Sequence, residues 1–410
     1  MRKSMLLVAV AVVLLGTMAY AELQNVEVGG KIRIRANWLD YDDAGETSFI
    51  EQRTRLNVKA DFTDEVTAMI ELDSYDIWGE DFRSPNYLTG VDNRQASVDD
   101  VEVYQAYVEA REMWGTPLRA RVGRQELTLG SGWLVGTNDK RYNFTGLSWD
   151  ALRLSYVTDM VSVDAIAAKL VESMKDFAED DVDLYAIYGS YTGLEDVVID
   201  AYWMYIRDDA TELESNLHTL GLRGAGKVGA FDFEAEAAYQ LGDAEDTGWW
   251  IFGQTNDFNA WAANLELGYT FDISWQPRIY AGFAYLEGPD VDCYWFKKDD
   301  VEFAFNRLFS NWEYSDFLDD TTLSNAFVYR LGLGVQPTEA IKLALEGQYY
   351  MLDEEAKNDD DELGWELQLT GAYNYSEDLV VRAGYSHFFG QELLEDQDFN
   401  YLFAETEISF

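Results

Sequence analysis

The sequence predicts an all-β fold, a transmembrane antiparallel β-barrel of about 18 strands in up-and-down order. Three observations indicate this fold: polar and apolar residues alternate over long segments, short and long connections alternate, and the last strand ends on an aromatic residue. The clearest segment, Phe49–Phe62, has charged residues on one face and mostly apolar residues on the other. Its length exceeds the five or six residues typical of strands in soluble domains.

The same alternation recurs along the chain and defines the remaining strands. In order, the predicted strands are Val26–Leu39, Phe49–Phe62, Val66–Trp78, Val101–Arg111, Leu118–Gln125, Leu147–Val157, Val161–Leu170, Val182–Tyr191, Val197–Ile206, Leu217–Gly224, Phe231–Gln240, Trp261–Phe271, Ile279–Leu286, Asn325–Val335, Ile341–Met351, Trp365–Tyr375, Leu379–Phe389 and Tyr401–Phe410. A soluble β-sandwich alternates in the same way, so this pattern alone does not distinguish the two folds.

The connections favour the barrel. Those after even-numbered strands are short, as at Thr63–Glu65, whereas those after odd-numbered strands tend to be longer and more acidic, as at Glu287–Ser324. Short periplasmic turns and long extracellular loops are typical of outer-membrane barrels, and a sandwich has no reason to alternate loop lengths. The final strand ends at Phe410, as many such barrels end on an aromatic residue. A barrel of about 18 strands encloses an aqueous channel.

The N-terminus predicts export. A basic start, Met1-Arg2-Lys3, precedes an apolar core from Met5 to Leu15 and an A-x-A cleavage site at Ala19–Ala21. We therefore expect a signal peptide at residues 1–21 and the barrel at 22–410, located in the outer membrane of a Gram-negative-type bacterium. Its expected partners are the lipid bilayer and the outer-membrane assembly machinery. The single cysteine, Cys293, cannot form an internal disulfide.

Residue parity assigns charged side chains to the lumen. By parity, the predicted solute pathway comprises Lys31, Arg33, Arg35, Arg53, Arg55, Lys59, Arg119, Arg121 and Arg153, with the acids Glu51, Glu71, Asp73 and Glu109, and Arg124 is included with them. Inward positions on later strands are largely acidic. Closure places Arg33 and Arg35 beside Glu405 and Glu407, so these arginines either form structural ion pairs or meet solute. Arg53, Arg55, Arg119, Arg121 and Arg153 are expected to be more available, although Glu51, Glu71, Asp73 and Glu109 can pair with some of them. Ladders of Arg and Lys select anions.

The loop Glu287–Ser324 is rich in aromatic residues, including Phe305, Phe309, Trp312 and Tyr314. The favoured interpretation is a small packed core. The alternative is a loop folded into the channel mouth, where aromatic faces could stack on sugar rings. Eight aromatic residues are predicted on the outward faces of strands: Trp38, Tyr104, Tyr156, Trp203, Tyr269, Tyr285, Tyr373 and Tyr385.

Other functional classes are disfavoured. The only histidines, His218 and His387, are both predicted to face outward, so no Ser/His/Asp set or carboxylate–histidine site can be assembled. We therefore expect no enzyme activity and no catalytic residues. The sequence offers no Cys/His metal cluster and no cofactor motif. The net charge of −46 disfavours nucleic-acid binding.

Several short motifs resemble the alginate export porin family. They are Gln52–Leu56, Gln105–Val108, Leu118–Leu127 followed by Gly130, Gly132 and Trp133, and Asn306–Phe309 in the long loop. The resemblance implies an 18-stranded channel whose basic lumen passes an anionic uronate polymer, so an anionic sugar or oligosaccharide is the expected solute. The acidic loops depart from that expectation, because they would repel a polyanion arriving from outside. The alternative is a general diffusion porin with a transverse field between basic and acidic walls.

Overall fold

The structure is a computed structural model that describes residues 24–42, 45–79, 101–137, 144, 146–172, 181–210, 214–244, 256–292, 300–319, 322–354, 361–394 and 397–410. The expected signal peptide, Cys293 and parts of the acidic loops lie outside these residues. One antiparallel sheet closes on itself. Strand β1 (Asn25–Tyr41) pairs with β2 (Gly45–Thr63) on one side and with β20 (Asp398–Ser409) on the other. The predicted closed barrel is confirmed.

The other strands follow in chain order around the barrel. They are β3 (Val66–Ile77), β4 (Glu102–Ala110), β5 (Leu118–Gln125), β6 (Trp149–Val157), β7 (Val161–Val171), β8 (Val182–Leu194), β9 (Val197–Asp208), β10 (Ser215–Val228), β11 (Phe231–Ala244), β12 (Asn256–Thr270), β13 (Arg278–Leu286), β14 (Asp290–Asp292), β15 (Asp300–Phe303), β16 (Ala326–Thr338), β17 (Ile341–Met351), β18 (Glu362–Asn374) and β19 (Leu379–Gly390). β14 and β15 form a hairpin within a loop, and β13 pairs directly with β16, so 18 strands form the barrel.

Connection lengths separate the two ends of the barrel. At one end, the turns that follow β2, β4, β6, β8, β10, β12, β16 and β18 have two to seven residues. At the other end, the loops have three to 39 residues, the longest joining β13 to β16. Long loops lie on the extracellular side of outer-membrane barrels, so the start of β1 and the end of β20 lie at the periplasmic end. No helix among the described residues is long and apolar enough to cross a membrane.

The outer face carries an apolar band. Leu222 and Leu331, on β10 and β16, have 64% and 63% of their surface exposed, and exposed Val, Ile and Leu side chains recur on nearly every strand. Exposing such surface to water costs about 25 cal/mol per Å². Facing hydrocarbon removes this cost, and the closed hydrogen-bond ladder leaves no strand edge unpaired in the membrane.

Strand β4 contains a departure from strict alternation. Glu71 pairs with Gln105 and the next residue, Leu72, pairs with Val103, so Tyr104 is an extra residue in the ladder. Such a bulge turns consecutive side chains toward one face. The outward orientation predicted for Tyr104 is therefore wrong: its side chain is buried and its hydroxyl donates to Glu126 in the lumen.

Candidate functional site: the charged interior of the barrel

Parts of two long loops meet inside the barrel, and we call them together the luminal plug: residues 126–137, 144 and 146–148 of the β5–β6 loop, and residues 304–319 and 322–325 of the β13–β16 loop. They are joined by backbone hydrogen bonds in which the amide of Phe309 donates to Leu134 at 2.8 Å and that of Gly136 donates to Phe309 at 2.9 Å. Trp133 stacks on Phe305 with 6.2 Å between ring centroids. The two loops therefore pack as one unit.

Tyr314 lies at the centre of the plug with only 1% of its surface exposed. Its hydroxyl accepts a 2.7 Å hydrogen bond from Trp133 Nε1 and donates to Asn264 Oδ1, on the β12 wall, at 3.2 Å. Its carbonyl accepts from the Tyr350 hydroxyl, on β17, at 2.6 Å. This residue thus ties both loops to two sides of the barrel wall.

The plug is fastened to the wall by further polar contacts. The hydroxyl of Ser315 donates to the buried Glu366 carboxylate at 2.5 Å, and the amide of Asp316 donates to the same group at 3.0 Å. Inside the plug, Arg307 pairs with Asp319 at 2.6 Å. The aromatic loop therefore combines both sequence interpretations: it folds into the channel, and it buries its rings as a packed core.

The glycines of the Gly130-Ser-Gly-Trp motif form the inward turn of the β5–β6 loop. Gly130 and Gly132 have φ of +58° and +79°, a region that L-residues with side chains rarely adopt. A Cβ on Gly130 would lie 2.5 Å from the Tyr188 hydroxyl, on the inner face of β8. The motif brings the fully buried Trp133 to the plug centre.

The wall makes room for the plug with small inward-facing residues. Alanine occupies five buried positions on β11, β12, β13 and β16 that pack against the plug, namely Ala238, Ala260, Ala262, Ala284 and Ala326. Sequence reasoning did not anticipate this lining, because an alanine alternating with larger residues fits either face of a strand.

Three arginines converge on one carboxylate at the seam between β20 and β1. Glu405 accepts from Arg33 Nε and Arg35 Nε, each at 2.8 Å, and from Arg382 Nη1 at 2.8 Å. Glu407 pairs with Arg382 at 3.3 Å and with Lys31 at 3.8 Å. The predicted ion pairing across the seam is present, and its cations outnumber its carboxylates by four to two.

Arg53 and Arg55 are buried, as the seam arginine Arg35 is, so the expectation that they are more available to solute is wrong. Arg53 is 1% exposed and donates to the Phe144 carbonyl at 2.7 Å. Arg55, 6% exposed, pairs with Asp73 at 3.1 Å and Glu126 at 3.3 Å, and stacks 3.6 Å from the Tyr104 ring. Both arginines hold the β5–β6 loop against β2.

Phe144 is a site residue that sequence reasoning missed. Its ring lies 4.2 Å from the guanidinium carbon of Arg33, 4.9 Å from that of Arg35 and 5.5 Å from that of Arg53. A ring face attracts cations, more strongly where water is excluded. Because Phe144 belongs to a long loop without periodicity, no sequence signal pointed to its place in the lumen.

The predicted acids lie beside these arginines. Glu51 accepts from Asn37 at 2.7 Å and lies 4.0 Å from Arg35. Glu71 accepts from Gln105 at 2.7 Å and lies 3.8 Å from Arg55. These acids are buried, and they balance arginines that the barrel also buries.

A second arginine cluster surrounds Glu109, on β4. Its carboxylate pairs with Arg111 and with Arg121, each at 2.6 Å, and lies 4.0 Å from Arg119, whose side chain is 44% exposed. Arg153 forms a two-bond pair with Asp164, at 3.0 and 2.8 Å. Arg121 and Arg153 are therefore both paired, as the sequence analysis allowed for some of these arginines, whereas within the described residues Arg119 makes only this long contact.

Two of the remaining predicted pathway residues lie at opposite faces of the wall. Lys59 lies near the periplasmic end of β2 and pairs with Glu27 at 3.2 Å. Arg124, by contrast, lies on the outer face and pairs with Asp150 through two 2.9 Å hydrogen bonds. The lumen assignment of Arg124 is wrong, because alternation from the inward Arg121 turns position 124 outward.

The wall from β9 to β13, together with the adjoining β16, has the opposite balance of charge. Asp200, Asp232, Glu234, Glu236 and Glu266 all point inward, and Arg223, Arg278 and Arg330 are interspersed among them. Each arginine bridges neighbouring strands, as where Arg278 Nη2 lies 2.8 Å from Glu266. The two walls therefore differ in net charge, but both are cross-linked internally.

A cavity of about 760 Å³ opens at the periplasmic end of the lumen. Its lining includes five cationic side chains and two carboxylates, namely Arg33, Arg35, Arg278, Lys342, Arg382, Glu405 and Glu407. Lys342, on β17, is exposed and forms no salt bridge within the described part of the chain. We call this cavity the periplasmic vestibule. Among the described residues, no group of three or more His, Cys, Asp or Glu could hold a metal ion.

Comparisons with known proteins agree with this architecture. A family model described as alginate export matches residues 24–402. Among solved structures, OccK8 (OprE) of Pseudomonas aeruginosa is similar with a TM-score of 0.59 and 13% identity, covering 94% of this chain and 98% of that one. OccAB4 of Acinetobacter baumannii gives a TM-score of 0.60 and 12% identity, covering 96% and 100%.

At such identities the solved structures show a shared fold alone. Among proteins of curated function, no significant sequence match was found. The family match spans most of the chain, and the closed 18-stranded barrel accounts for it structurally. This protein therefore belongs to the alginate export family and is an outer-membrane porin.

Proposed function

We propose that the protein is a passive channel that prefers anionic solutes, and that carboxylated sugars or their oligomers enter it through the periplasmic vestibule. The observation that carries the proposal is the excess of cations there: five cationic side chains against two carboxylates. Arginine binds carboxylates through two parallel hydrogen bonds, which suits uronate groups.

The position of this excess supports passage outward. The vestibule lies at the short-turn end of the barrel, whereas the long extracellular loops are rich in Asp and Glu. A polyanion would therefore be attracted at the periplasmic opening and repelled at the outer opening. Once a solute has passed the plug, the same acidic loops would disfavour its return.

A second candidate is a general diffusion porin with a transverse field. The acidic wall around Asp200 and Glu236, opposite the arginine clusters, favours this alternative. Such a pore would sort small solutes by their dipole and size, and it would not bind uronate oligomers more strongly than neutral oligomers of equal length.

Ionic-current block in a planar bilayer separates the two candidates. We expect uronate oligomers added to the periplasmic side to interrupt the current, and neutral glucose oligomers of equal length to pass without such events. Lys342→Glu should weaken the block by uronate oligomers about threefold. The substitution reverses one exposed charge some 7 Å from the solute, and this changes their screened Coulomb interaction energy by less than about 1 kcal/mol.

Arg124→Glu is the matched control, since it makes the same charge change on the outer face. It should leave the block unchanged. Equal block by neutral and uronate oligomers would contradict the anion channel and favour the diffusion porin.

A further inference from the structure

A row of alternating charges crosses five adjacent strands on the outer face of the barrel. In register, Arg124 pairs with Asp150, Asp150 with Lys169, Lys169 with Asp183, and Asp183 with Arg207. We call these five residues, on β5 to β9, the outer charge belt. Its signs alternate from strand to strand without interruption.

Neighbouring side chains fix the outward orientation of the belt. Trp149 and Ala151, on either side of Asp150, are buried in the interior core. Leu184, next to Asp183, is also part of that core. Since successive side chains of a strand point to opposite faces, the residues between them point outward.

The belt lies at the extracellular margin of the apolar band. Two residues toward the periplasm on each strand, the outer face carries Val122, Leu152, Ala167, Tyr185 and Tyr205. The aromatic rings of Tyr185 and Tyr205 stack 6.1 Å apart, as expected of residues at the boundary between hydrocarbon and headgroups. The belt therefore lies at the height of the headgroups of the outer leaflet.

The belt is confined to one side of the barrel. Arg124, Lys169 and Arg207 are the only Lys or Arg that face outward on the strands that the structure describes. Across the seam, the corresponding rim of β1, β2 and β20 carries Asp40, Glu46, Asp398 and Asn400. Among the described strands, therefore, the β5–β9 side is the one that offers outward cations to a headgroup.

We propose that the outer charge belt binds the phosphorylated headgroup of an outer-leaflet glycolipid together with a divalent cation. Arg124 and Arg207 have side chains 45% and 41% exposed, and the Nη1 of Arg207 has no partner among the described residues. Planar guanidinium groups bind phosphate oxygens through paired hydrogen bonds. The apolar row directly below would contact the acyl chains of the same lipid.

The carboxylates of the belt account for the divalent cation. Lys169 is surrounded by Asp183 at 2.8 Å, Asp181 at 2.9 Å and Glu172 at 3.4 Å, so acids outnumber cations locally. A phosphate alone would be repelled by this excess. Mg²⁺ or Ca²⁺ bound between a carboxylate and a phosphate removes the repulsion, because both ions take oxygen ligands.

The test measures binding of bisphosphorylated lipid A to the detergent-purified full chain by native mass spectrometry, in the presence of Mg²⁺. We expect the triple variant Arg124→Gln, Lys169→Gln and Arg207→Gln to bind at least about tenfold more weakly. The charge-preserving variant Arg124→Lys, Lys169→Arg and Arg207→Lys should retain binding. Arg119→Gln, a lumen variant, should bind as the wild type does.

Measurements on the wild type keep the proposal testable if the triple variant fails to fold. Removal of Mg²⁺ with EDTA, or of both phosphates from the lipid, should weaken binding at least about tenfold. Inorganic phosphate at millimolar concentration should not displace the lipid. Unchanged binding by the triple glutamine variant, binding indifferent to EDTA, or displacement by inorganic phosphate would each overturn the proposal.

Discussion

Tyr314→Phe should loosen the luminal plug without unfolding the barrel. The substitution removes one hydroxyl and leaves two buried groups without that partner, the Trp133 Nε1–H and the Asn264 Oδ1. Each orphaned group costs about 1–3 kcal/mol. Since the hydrogen bond to Asn264 is the longer one, we expect the two lost hydrogen bonds together to cost about 2–4 kcal/mol. That cost raises the equilibrium constant for plug opening roughly 30- to 900-fold.

Hydrogen exchange of the plug measures this directly. Peptides from 126–137 and 303–319 should exchange faster in the variant by that factor, whereas peptides from the barrel strands should not change. Tyr373→Phe is the matched control, because Tyr373 faces outward on β18 and is 45% exposed. Unchanged exchange in both plug peptides would refute the role of Tyr314 in joining the loops to the wall.

Three further changes test other parts of the structure. Glu405→Gln leaves Arg33, Arg35 and Arg382 without their shared carboxylate, so it should destabilise the barrel by about 3–5 kcal/mol and lower the temperature at which its gel mobility shifts. Gly130→Ala should speed exchange in 126–137, because the added Cβ would meet the Tyr188 hydroxyl in a left-handed backbone conformation. Burial raises the pKa of the Glu287 carboxyl, and repulsion from Asp353 adds to this shift. The base of the β13–β16 loop should therefore become better protected from hydrogen exchange as the pH falls through that raised pKa.

Each of these has an outcome that contradicts it. Glu407→Gln removes a carboxylate with fewer partners at the same seam, so it should lower the temperature of the gel-mobility shift by less than Glu405→Gln does. A larger effect of Glu407→Gln would contradict the convergence of three arginines on Glu405. Exchange in Gly130→Ala that matches the wild type would show that the turn tolerates a side chain. For the loop base, Glu287→Gln should abolish the pH dependence, and persistence of that dependence would assign it to another group.

Strand alternation predicted the strands, because the two faces of a barrel wall impose opposite demands on successive side chains, and the alternation of short and long connections then favoured the barrel over a sandwich. The pairing of Arg33 and Arg35 with Glu405 followed from closure alone, since a barrel without edges must place its first strand beside its last. The loop lengths gave the orientation, because short turns are typical of the periplasmic end of an outer-membrane barrel and long loops of its extracellular end.

Alternation failed where the backbone departs from two-residue periodicity. The bulge at Tyr104 turned an aromatic residue inward. The bulge shows only as a register shift in the pairing of β4 with β3, which the sequence pattern does not reveal. Arg124 was included in the predicted solute pathway, although counting from Arg121 already placed it outside.

The joining of the two loops into one plug lay beyond sequence reasoning, because it depends on contacts between distant parts of the chain. Trp133 and Tyr314 are 181 residues apart, and no local pattern in either loop specifies that they meet. The burial of Arg53 followed from the same cause, since the Phe144 carbonyl that it binds belongs to the β5–β6 loop.

The zero-current potential of the purified wild-type channel tests the central claim most directly. A planar bilayer would separate two KCl solutions of different concentration, and the sign of the potential reports which ion passes more readily. The cation excess of the periplasmic vestibule predicts a potential of the sign set by chloride. A potential near zero, or one of the sign set by potassium, would contradict an interior that favours anions.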